Sequence, residues 1–170
     1  MTKSEYRKQA LAARNRLKDI EVEKNENILL DKLSKHKAFL EAKTVGLYYP
    51  IKGEMNLLSL KQSYPDKRYY LPNVLNGQII YRRFTSEQTL IDGPFGTKEV
   101  VKNEESVLDC DLYLIPCVAT SDLLRIGYGK GYFDQYLKDK SGYKLGITFP
   151  MFKTSGIQKD VHDVLLDEVL

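Results

Sequence analysis

The chain has few of the residues on which covalent or metal-centred chemistry is usually built. Its 170 residues include only two cysteines and two histidines, and they form no Ser-His-Asp or Cys-His pattern of a covalent nucleophile. Cys110 and Cys117 are seven residues apart, and this odd separation predicts opposite faces of one strand. The spacing argues against an intrastrand disulfide or a shared metal and favours buried thiols in a reducing compartment.

Long hydrophobic segments and strong net charge are also absent. No apolar stretch approaches the ~18 residues needed to span a bilayer, and no secretory hydrophobic region opens the chain. The formal net charge is only +3, without the concentrated basic stripe that nucleic-acid binding usually needs. We therefore expect a cytoplasmic monomer that binds neither membrane nor nucleic acid, although the charge permits an anionic small molecule.

Length and pattern together predict one α/β domain. A chain of 170 residues, 42% of them hydrophobic, suffices for one domain with a proper core, here residues 1–170. Helix-like and strand-like segments alternate, which predicts a single three-layer Rossmann-like domain with a mostly parallel sheet and one antiparallel hairpin. The hairpin is indicated by Asn76-Gly77 between two strand-like segments.

The predicted elements follow from periodicity and from start and stop signals. Thr2 and Glu5 form a capping-box pattern that begins a first helix ending near Asp19. Further helices are expected at residues 22–42, 55–62 and 132–139. Strands are expected at residues 44–50, 68–75, 78–84, 112–119, 144–149 and 163–170, with turn material at residues 92–97.

The first helix combines an apolar stripe with basic side chains. Its stripe consists of Tyr6, Ala10, Ala13 and Leu17. At about 100° per residue, the basic residues fall beside this stripe rather than opposite it: Lys3, Arg7 and Arg14. A solvated surface is one interpretation of such a face. Partial burial, with a role in holding phosphate, is the other.

The most informative segment reads R-I-G-Y-G-K-G-Y-F-D, from Arg125 to Asp134. Its three alternating glycines let the backbone approach a ligand closely, and a glycine turn that opens onto a helix presents N–H donors to an anion. The spacing matches neither the Walker A loop nor the dinucleotide fingerprint. The segment is interpreted as a phosphate cradle with a candidate Mg²⁺ ligand, against the alternative of a flexible strand-to-helix connection.

Two other candidates remain open on residue types alone. Glu54 follows the predicted strand that ends in Tyr48-Tyr49-Pro50, and a glutamate in such a loop is ordinarily solvated. His162-Asp163 is compatible with a metal or acid–base pair, but also with an ordinary turn.

Taken together, these segments resemble the 5-formyltetrahydrofolate cyclo-ligase family, also called methenyltetrahydrofolate synthetase. The glycine-rich segment carries the complete family signature R-[LI]-G-x-G-x-G-[YF]-[YF]-D. Four other family segments occur in order along the chain: Lys3 with Arg7 and Arg14, Tyr70-Leu71-Pro72-Asn73-Val74, Gly93 to Glu99, and His162-Asp163 with Asp167. The family's P-x-E-x-H-D approach to the last segment becomes Gln158 to Asp163 here.

The resemblance implies an enzyme that uses ATP, with Mg²⁺, to convert 5-formyltetrahydrofolate to 5,10-methenyltetrahydrofolate, releasing ADP and phosphate. By this resemblance, Lys130 and Arg125 are the catalytic residues. ATP is expected to contact Lys3, Arg7, Arg14, Arg125, Gly127, Tyr128, Gly129, Lys130, Gly131, Tyr132 and Phe133. Folate is expected to contact Tyr49, Glu54, Tyr128 and Tyr132, and Mg²⁺ is expected to bind Asp134 and Asp163.

Two other functions stay open. A non-catalytic protein that binds a nucleotide or a sugar phosphate could use the same scaffold, since fold alone does not determine activity. An RNA-binding module using the 12 tyrosines is the weaker alternative, because the basic residues are dispersed and no RNP-like pattern is present.

Overall fold

The computed structural model describes residues 1–51 and 53–170. The helices are α1 (Lys3–Arg14), α2 (Asp19–Ser34), α3 (Lys37–Glu41), α4 (Leu60–Ser63) and α5 (Tyr132–Leu137). The strands are β1 (Thr44–Gly46), β2 (Arg68–Leu75), β3 (Gln78–Arg83), β4 (Ile91–Asp92), β5 (Lys98–Glu99), β6 (Ser106–Val107), β7 (Leu112–Pro116), β8 (Ala119–Ser121), β9 (Leu124–Ile126), β10 (Tyr143–Ile147), β11 (Lys153–Thr154) and β12 (Glu168–Val169).

The architecture is α/β and is organised around a seven-stranded mixed sheet. Its strand order is β12-β10-β7-β1-β2-β3-β6. The strands from β12 to β2 are parallel to their neighbours, whereas β2–β3 and β3–β6 are antiparallel. A three-stranded sheet, β11-β8-β9, and the small hairpin β4-β5 complete the strand pairing.

Both faces of the large sheet are buried, and the alternation of side chains along the strands shows it. In β7, Leu112 and Leu114 belong to one hydrophobic cluster, whereas Tyr113 and Ile115 belong to another. The first cluster includes residues from α1, α2, α3 and α4, and the second includes Leu137 from α5. Strands buried on both faces account for the near-continuous apolar runs in the sequence.

The first helix begins as predicted but ends earlier. Thr2 and Glu5 form the capping box, and Ala10 is buried in the core while Tyr6, Ala13 and Leu17 pack against it. The helix ends at Arg14 rather than near Asp19. The single helix predicted for residues 22–42 is wrong: it is divided into α2 and α3. The division occurs at His36. This residue is the N-cap of α3, because its ring nitrogen accepts a hydrogen bond from the Ala38 N–H.

The apolar run at residues 112–119 is not one strand. It is β7 of the large sheet up to Pro116, and Ala119 already belongs to β8 of the three-stranded sheet. The strand predicted for residues 44–50 is likewise limited to Thr44–Gly46. Hydrophobicity alone does not distinguish a strand that continues from one that changes sheets. The hairpin of β2 and β3 is confirmed, with Asn76 and Gly77 both at positive φ.

The cysteines are free and buried as predicted, but they do not lie on opposite faces. Cys110 and Cys117 both pack in the second hydrophobic cluster. The error arises because Cys110 precedes β7, so strand alternation does not extend to it. Among the residues that the structure describes, no helix is both long and apolar enough to cross a membrane.

Candidate functional site

The segment Arg125–Asp134 lies beside the carboxyl end of the central strand β7. It leaves β9 in the small sheet rather than β7 directly, so the hairpin of β8 and β9 separates it from the apolar run. The Nε of Arg125 donates a 3.0 Å hydrogen bond to the carbonyl oxygen of Pro116, the last residue of β7. This contact places the segment at the edge of the sheet where open α/β folds bind ligands.

The glycines of the glycine loop, residues 127–131, are favoured for two reasons, the space around one of them and the backbone conformation of the other two. A Cβ at Gly127 would lie 2.3 Å from Nη1 of Arg125, so only glycine leaves room for that guanidinium. Gly129 and Gly131 have φ of +93° and +73°, which a residue with a Cβ adopts only with strain. The loop then enters α5, for which Gly131 is the N-cap.

A polar cavity of about 620 Å³ lies on one side of the glycine loop. Its wall combines cations, carboxylates and glycines from α1, the loop and the C-terminal segment. The lining residues include Lys3, Arg7, Arg125, Gly127, Gly129, Gly131, Asp134, Gln158, Asp160 and Asp163.

Two cations of α1 are already oriented in this cavity. The Nε of Arg7 donates a 2.5 Å hydrogen bond to the carbonyl oxygen of Gly127. The Nζ of Lys3 lies 2.6 Å from Oδ2 of Asp163 and 2.6 Å from Oδ2 of Asp160. Burial lowers the pKa of Lys3, but the hydrogen bonds to Asp160 and Asp163 outweigh it, so the pKa is raised. The lysine is therefore held as a cation.

The two carboxylates predicted to bind a metal both line the polar cavity. Oδ1 of Asp134 accepts a 3.0 Å hydrogen bond from the Val164 N–H, which ties α5 to the C-terminal segment. Asp163 is engaged with Lys3 and also accepts the Asp160 N–H at 2.6 Å. The described part of the chain contains no cluster of three or more metal-ligating side chains.

An aromatic cavity of about 440 Å³ lies on the other side of the glycine loop. Its lining is mostly apolar: Tyr48, Tyr49, Ile51, Glu54, Pro72, Val74, Ile79, Pro94, Phe95, Thr97, Pro116, Tyr128, Lys130, Tyr132 and Phe133 are among its residues. Arg125, Gly129 and Gly131 line both cavities. These three residues therefore form the boundary at which two ligands would meet.

Glu54 is the acidic group of the aromatic cavity and is held at both oxygens. Its Oε2 accepts the Ile51 N–H at 3.0 Å, and its Oε1 accepts the Tyr128 hydroxyl at 3.3 Å. Burial raises the pKa of Glu54, and the hydrogen bond from Ile51 and the charge of Arg14 oppose that rise only in part. Burial, together with the negative charge of Glu54, also raises the pKa of Tyr128.

The predicted ATP residues are distributed over three locations. Lys3, Arg7, Arg125 and the three glycines line the polar cavity. Tyr128, Lys130, Tyr132 and Phe133 line the aromatic cavity. Arg14 is buried at the end of α1, only 4% exposed, and its Nη2 donates a hydrogen bond to the Tyr128 hydroxyl.

Lys130 points toward the aromatic side in this structure. Its Nζ lies 4.7 Å from the centroid of the Phe95 ring. The guanidinium carbon of Arg125, in contrast, lies 4.5 Å from the Phe133 ring centroid while the residue borders both cavities. His162 is exposed, and among the described residues it lines neither cavity.

Sequence reasoning missed two contributors. Asp160 pairs with Lys3, and its position three residues before Asp163 was the available sequence signal. Phe95 lies in a family segment that had been given no role, yet it forms part of the aromatic cavity and contacts Lys130.

Comparison with known proteins identifies the family to which this chain is similar. A family model described as the 5-formyltetrahydrofolate cyclo-ligase family matches residues 1–170. The chain is 31% identical to a 5-formyltetrahydrofolate cyclo-ligase of Mycoplasma pneumoniae over 177 aligned residues, which cover 100% of this chain and 98% of that protein.

Two solved structures are similar over the same extent. One is a 5,10-methenyltetrahydrofolate synthetase of Aquifex aeolicus, with a TM-score of 0.87 and 34% identity, covering 99% of this chain and 89% of that chain. The other is a 5,10-methenyltetrahydrofolate synthetase from Mycoplasma pneumoniae, with a TM-score of 0.79 and 27% identity, covering 99% and 98%. The match over the whole chain, the shared fold and the glycine loop between two cavities lead to one conclusion: this chain belongs to the 5-formyltetrahydrofolate cyclo-ligase family.

Proposed function

We propose that the protein converts 5-formyltetrahydrofolate to 5,10-methenyltetrahydrofolate and consumes one ATP in doing so. The observation that carries the proposal is the pair of adjoining cavities, one polar and lined by both cations and carboxylates, the other aromatic, which share Arg125, Gly129 and Gly131. A reaction between a phosphate donor and a flat heterocyclic acceptor requires such a pair, with the reacting groups meeting at the common wall.

The polar cavity suits the triphosphate of ATP. Lys3, Arg7 and Arg125 supply positive charge from two separate elements, and the glycine loop allows the backbone to approach closely. Arg7 is fixed by its hydrogen bond to Gly127 and Arg125 by its hydrogen bond to Pro116. Cations that are oriented before the ligand arrives lose little entropy on binding.

The aromatic cavity suits the pterin and the adjoining ring of the folate. Tyr49 and Tyr132 provide aromatic walls, and Glu54 provides the acceptor for the amino and ring N–H donors of a pterin. A carboxylate has about four lone-pair sites, so the two hydrogen bonds that Glu54 already accepts leave capacity for a ligand.

The chemistry follows from the weakness of the formyl oxygen as a leaving group. The formyl oxygen attacks the γ-phosphorus of ATP, the bond to ADP breaks, and an activated imidate phosphate forms. Nitrogen ten then attacks the formyl carbon and loses its proton, and phosphate departs with the former formyl oxygen. Such steps depend mainly on positioning and charge stabilisation.

Within this scheme, the residues at the common wall have the most direct roles. Arg125 borders both cavities and neutralises the phosphoryl group in transfer. Lys130 approaches from the aromatic side, where its Nζ now lies over Phe95, and stabilises charge on the activated formyl oxygen. Tyr128, Tyr132 and Phe133 exclude water from the meeting point of the two substrates.

The carboxylates in the polar cavity fit Mg²⁺ carried by the nucleotide. This ion typically takes one or two carboxylates together with substrate phosphates, rather than a complete protein cage. Asp134 and Asp163 are hard oxygen donors beside the proposed triphosphate, and the described residues form no larger metal cluster. Asp134 and Asp163 would hold the ion, which would neutralise part of the negative charge of the phosphates when bound.

The remaining assignments support the same proposal. The large mixed sheet with the site at its carboxyl edge is compatible with a three-layer Rossmann-like description. Two free, buried thiols support a reducing, cytoplasmic location. The dispersed charge favours an enzyme of small molecules over an RNA-binding protein, and we propose that this enzyme is a monomer. An aromatic cavity beside the phosphate site favours catalysis over simple binding of a sugar phosphate.

One assay tests the proposal. The protein is mixed with 5-formyltetrahydrofolate, ATP and Mg²⁺, and the near-ultraviolet absorbance of the methenyl product is followed, with ATP omitted as the control. We expect ATP-dependent product with stoichiometric release of ADP and phosphate. Binding of both compounds without turnover would instead identify a non-catalytic nucleotide-binding protein.

A further inference from the structure

Arg14 occupies a place that a phosphate-binding residue would not. It is 4% exposed, whereas Lys3 and Arg7 of the same helix are only half-buried. Among the described residues, Arg14 lines neither the polar nor the aromatic cavity, but it does line a small internal cavity with Tyr48 and Glu54. To reach a triphosphate it would have to leave this buried position.

The contacts of Arg14 connect it to the aromatic cavity, which is the proposed folate site. Its Nη2 donates to the Tyr128 hydroxyl, and that hydroxyl donates to Oε1 of Glu54 at 3.3 Å. The guanidinium carbon lies 5.6 Å from the centroid of the Tyr128 ring. A hydroxyl that accepts from a cation becomes a stronger donor, so the three groups form a polarised chain that ends on the carboxylate.

Arg14 also packs beneath the loop that carries Glu54. A Cβ at Gly53 would lie 3.1 Å from the Nε of Arg14 and 3.2 Å from its Cγ. The backbone N–H of Ile51 holds the second oxygen of Glu54 at 3.0 Å. The arginine thus contacts both the loop and, through Tyr128, the side chain at its end.

We propose that Arg14 is a positioning residue for folate rather than a ligand of ATP: through Tyr128, it orients the Glu54 carboxylate toward the pterin. The inference rests on the proposed function, since it assigns the folate to the aromatic cavity. Tyr128 belongs to the glycine loop, so the same chain of hydrogen bonds also joins that loop to the folate contact. The negative charge that Arg14 favours on Glu54 is the form that accepts N–H donors.

The experiment measures binding of each substrate separately, so that it does not depend on turnover. Equilibrium titrations with 5-formyltetrahydrofolate alone and with ATP and Mg²⁺ alone are made on Arg14→Met, Arg14→Lys and Tyr128→Phe. The matched control is Arg16→Met, which removes an exposed arginine two residues away. We expect Arg14→Met to weaken folate binding by roughly 10-fold or more and to change ATP binding less than 2-fold.

The double variant Arg14→Met/Tyr128→Phe separates positioning from general destabilisation. If Arg14 acts through Tyr128, the loss of folate affinity in the double variant is close to that of Arg14→Met alone, and Arg14→Lys retains part of the affinity. Equal weakening of both ligands by Arg14→Met, or additive losses in the double variant, overturns the inference. Should Arg14→Met not fold, unchanged folate binding by Tyr128→Phe overturns it as well. A wild-type protein that does not bind 5-formyltetrahydrofolate overturns the proposed function itself.

Discussion

At the scale of single residues, neighbouring side chains in the site restrict which residue each position can hold. Gly127 is required by its neighbour, because a Cβ there would lie 2.3 Å from Nη1 of Arg125. Arg125 is in turn held by Pro116 at 3.0 Å and by the ring of Phe133. A methyl group at position 127 would therefore displace the guanidinium that borders both cavities.

We expect Gly127→Ala to lower kcat/KM by roughly 10²-fold, the size of effect seen when one oriented charge-stabilising donor is lost. Steady-state kinetics with both substrates measure it. Gly156→Ala is the control for an added methyl group that displaces no neighbour, because open space surrounds Gly156; unlike Gly127, it has a positive φ, of +79°. That control should lose about 1 kcal/mol of stability from backbone strain and keep its kinetics. Normal turnover by Gly127→Ala would show that Arg125 needs no fixed position.

A second prediction concerns the effect of pH on folate binding, and it depends on the protonation of Glu54. Burial raises the pKa of this carboxyl above its usual value, so the folded protein holds the proton more tightly than the unfolded chain does. The group therefore favours folding below its unfolded pKa, and this contribution is lost as the pH rises through the folded pKa. In the proposed function, the ionised form of Glu54 is the acceptor for the pterin.

The KM for 5-formyltetrahydrofolate should consequently rise as the pH falls through the raised pKa of Glu54. Arg14, Arg125, Tyr48, Tyr128 and Cys117 also interact with this carboxylate, but none of these residue types ordinarily changes its protonation in the acid range. In Glu54→Gln the acid limb should disappear while KM is raised at every pH. An acid limb of unchanged size in this variant would assign the titration to another group.

At the scale of elements, the hairpin of β4 and β5 closes the outer side of the aromatic cavity. Between its strands, Phe95 adopts φ +61° and ψ 28°, which is unusual for a residue with a Cβ, and its side chain is 57% exposed. The ring contacts Lys130 and lies 6.4 Å from the Tyr132 ring, centroid to centroid. Strain at an exposed aromatic residue is typical of a functional position.

We expect Phe95→Gly to be more stable than Phe95→Ala by about 1 kcal/mol, because glycine adopts this backbone conformation without strain. Glycine is ordinarily the less stable of the two, so the order itself is diagnostic. Both variants should bind 5-formyltetrahydrofolate more weakly than the wild type, since both remove the ring. Thermal denaturation and folate titration measure the two effects. Wild-type folate affinity in both variants would exclude Phe95 from the binding surface.

Some of the elements and site residues could be predicted from the sequence, and others could not. Asn76-Gly77 predicts its hairpin correctly because the turn is a local property of those two residues. The run 112–119 was assigned to one strand, although β7 and β8 belong to different sheets, because hydrophobicity does not specify a strand's partners. Lys3 and Arg7 were identified from the family pattern and do line the polar cavity. The burial of Arg14 depends on how α1 packs against the rest of the protein. The spacing of the basic residues in the sequence does not specify that packing.

At the scale of the whole molecule, the polar cavity joins the two ends of the chain. Lys3 in α1 contacts Asp160 and Asp163 in the C-terminal segment, and Asp134 of α5 holds the Val164 N–H. A ligand that binds to this cavity contacts all three regions at once. Its binding energy is therefore added to the stability of the entire fold, rather than to that of one loop.

ATP with Mg²⁺ at about 100 times its Kd should stabilise the protein by about 2.7 kcal/mol. For a domain of this size, that corresponds to a rise in Tm of about 5–10 °C. Differential scanning fluorimetry measures the shift, and adenosine, which lacks phosphates, serves as the control and should give almost none. An equal shift with adenosine would place the binding energy outside the polar cavity.

The ion pair between Lys3 and Asp163 also has a consequence for synthesis on the ribosome. These residues are 160 positions apart, so a nascent chain that has emerged only as far as the glycine loop still lacks one wall of the polar cavity. Under the proposed function, the complete site for ATP forms only after the segment that carries Asp160 and Asp163 has been translated. Truncated chains that end before Asp160 would therefore lack part of the polar cavity, whereas the residues that line the aromatic cavity, between Tyr48 and Phe133, would already be present.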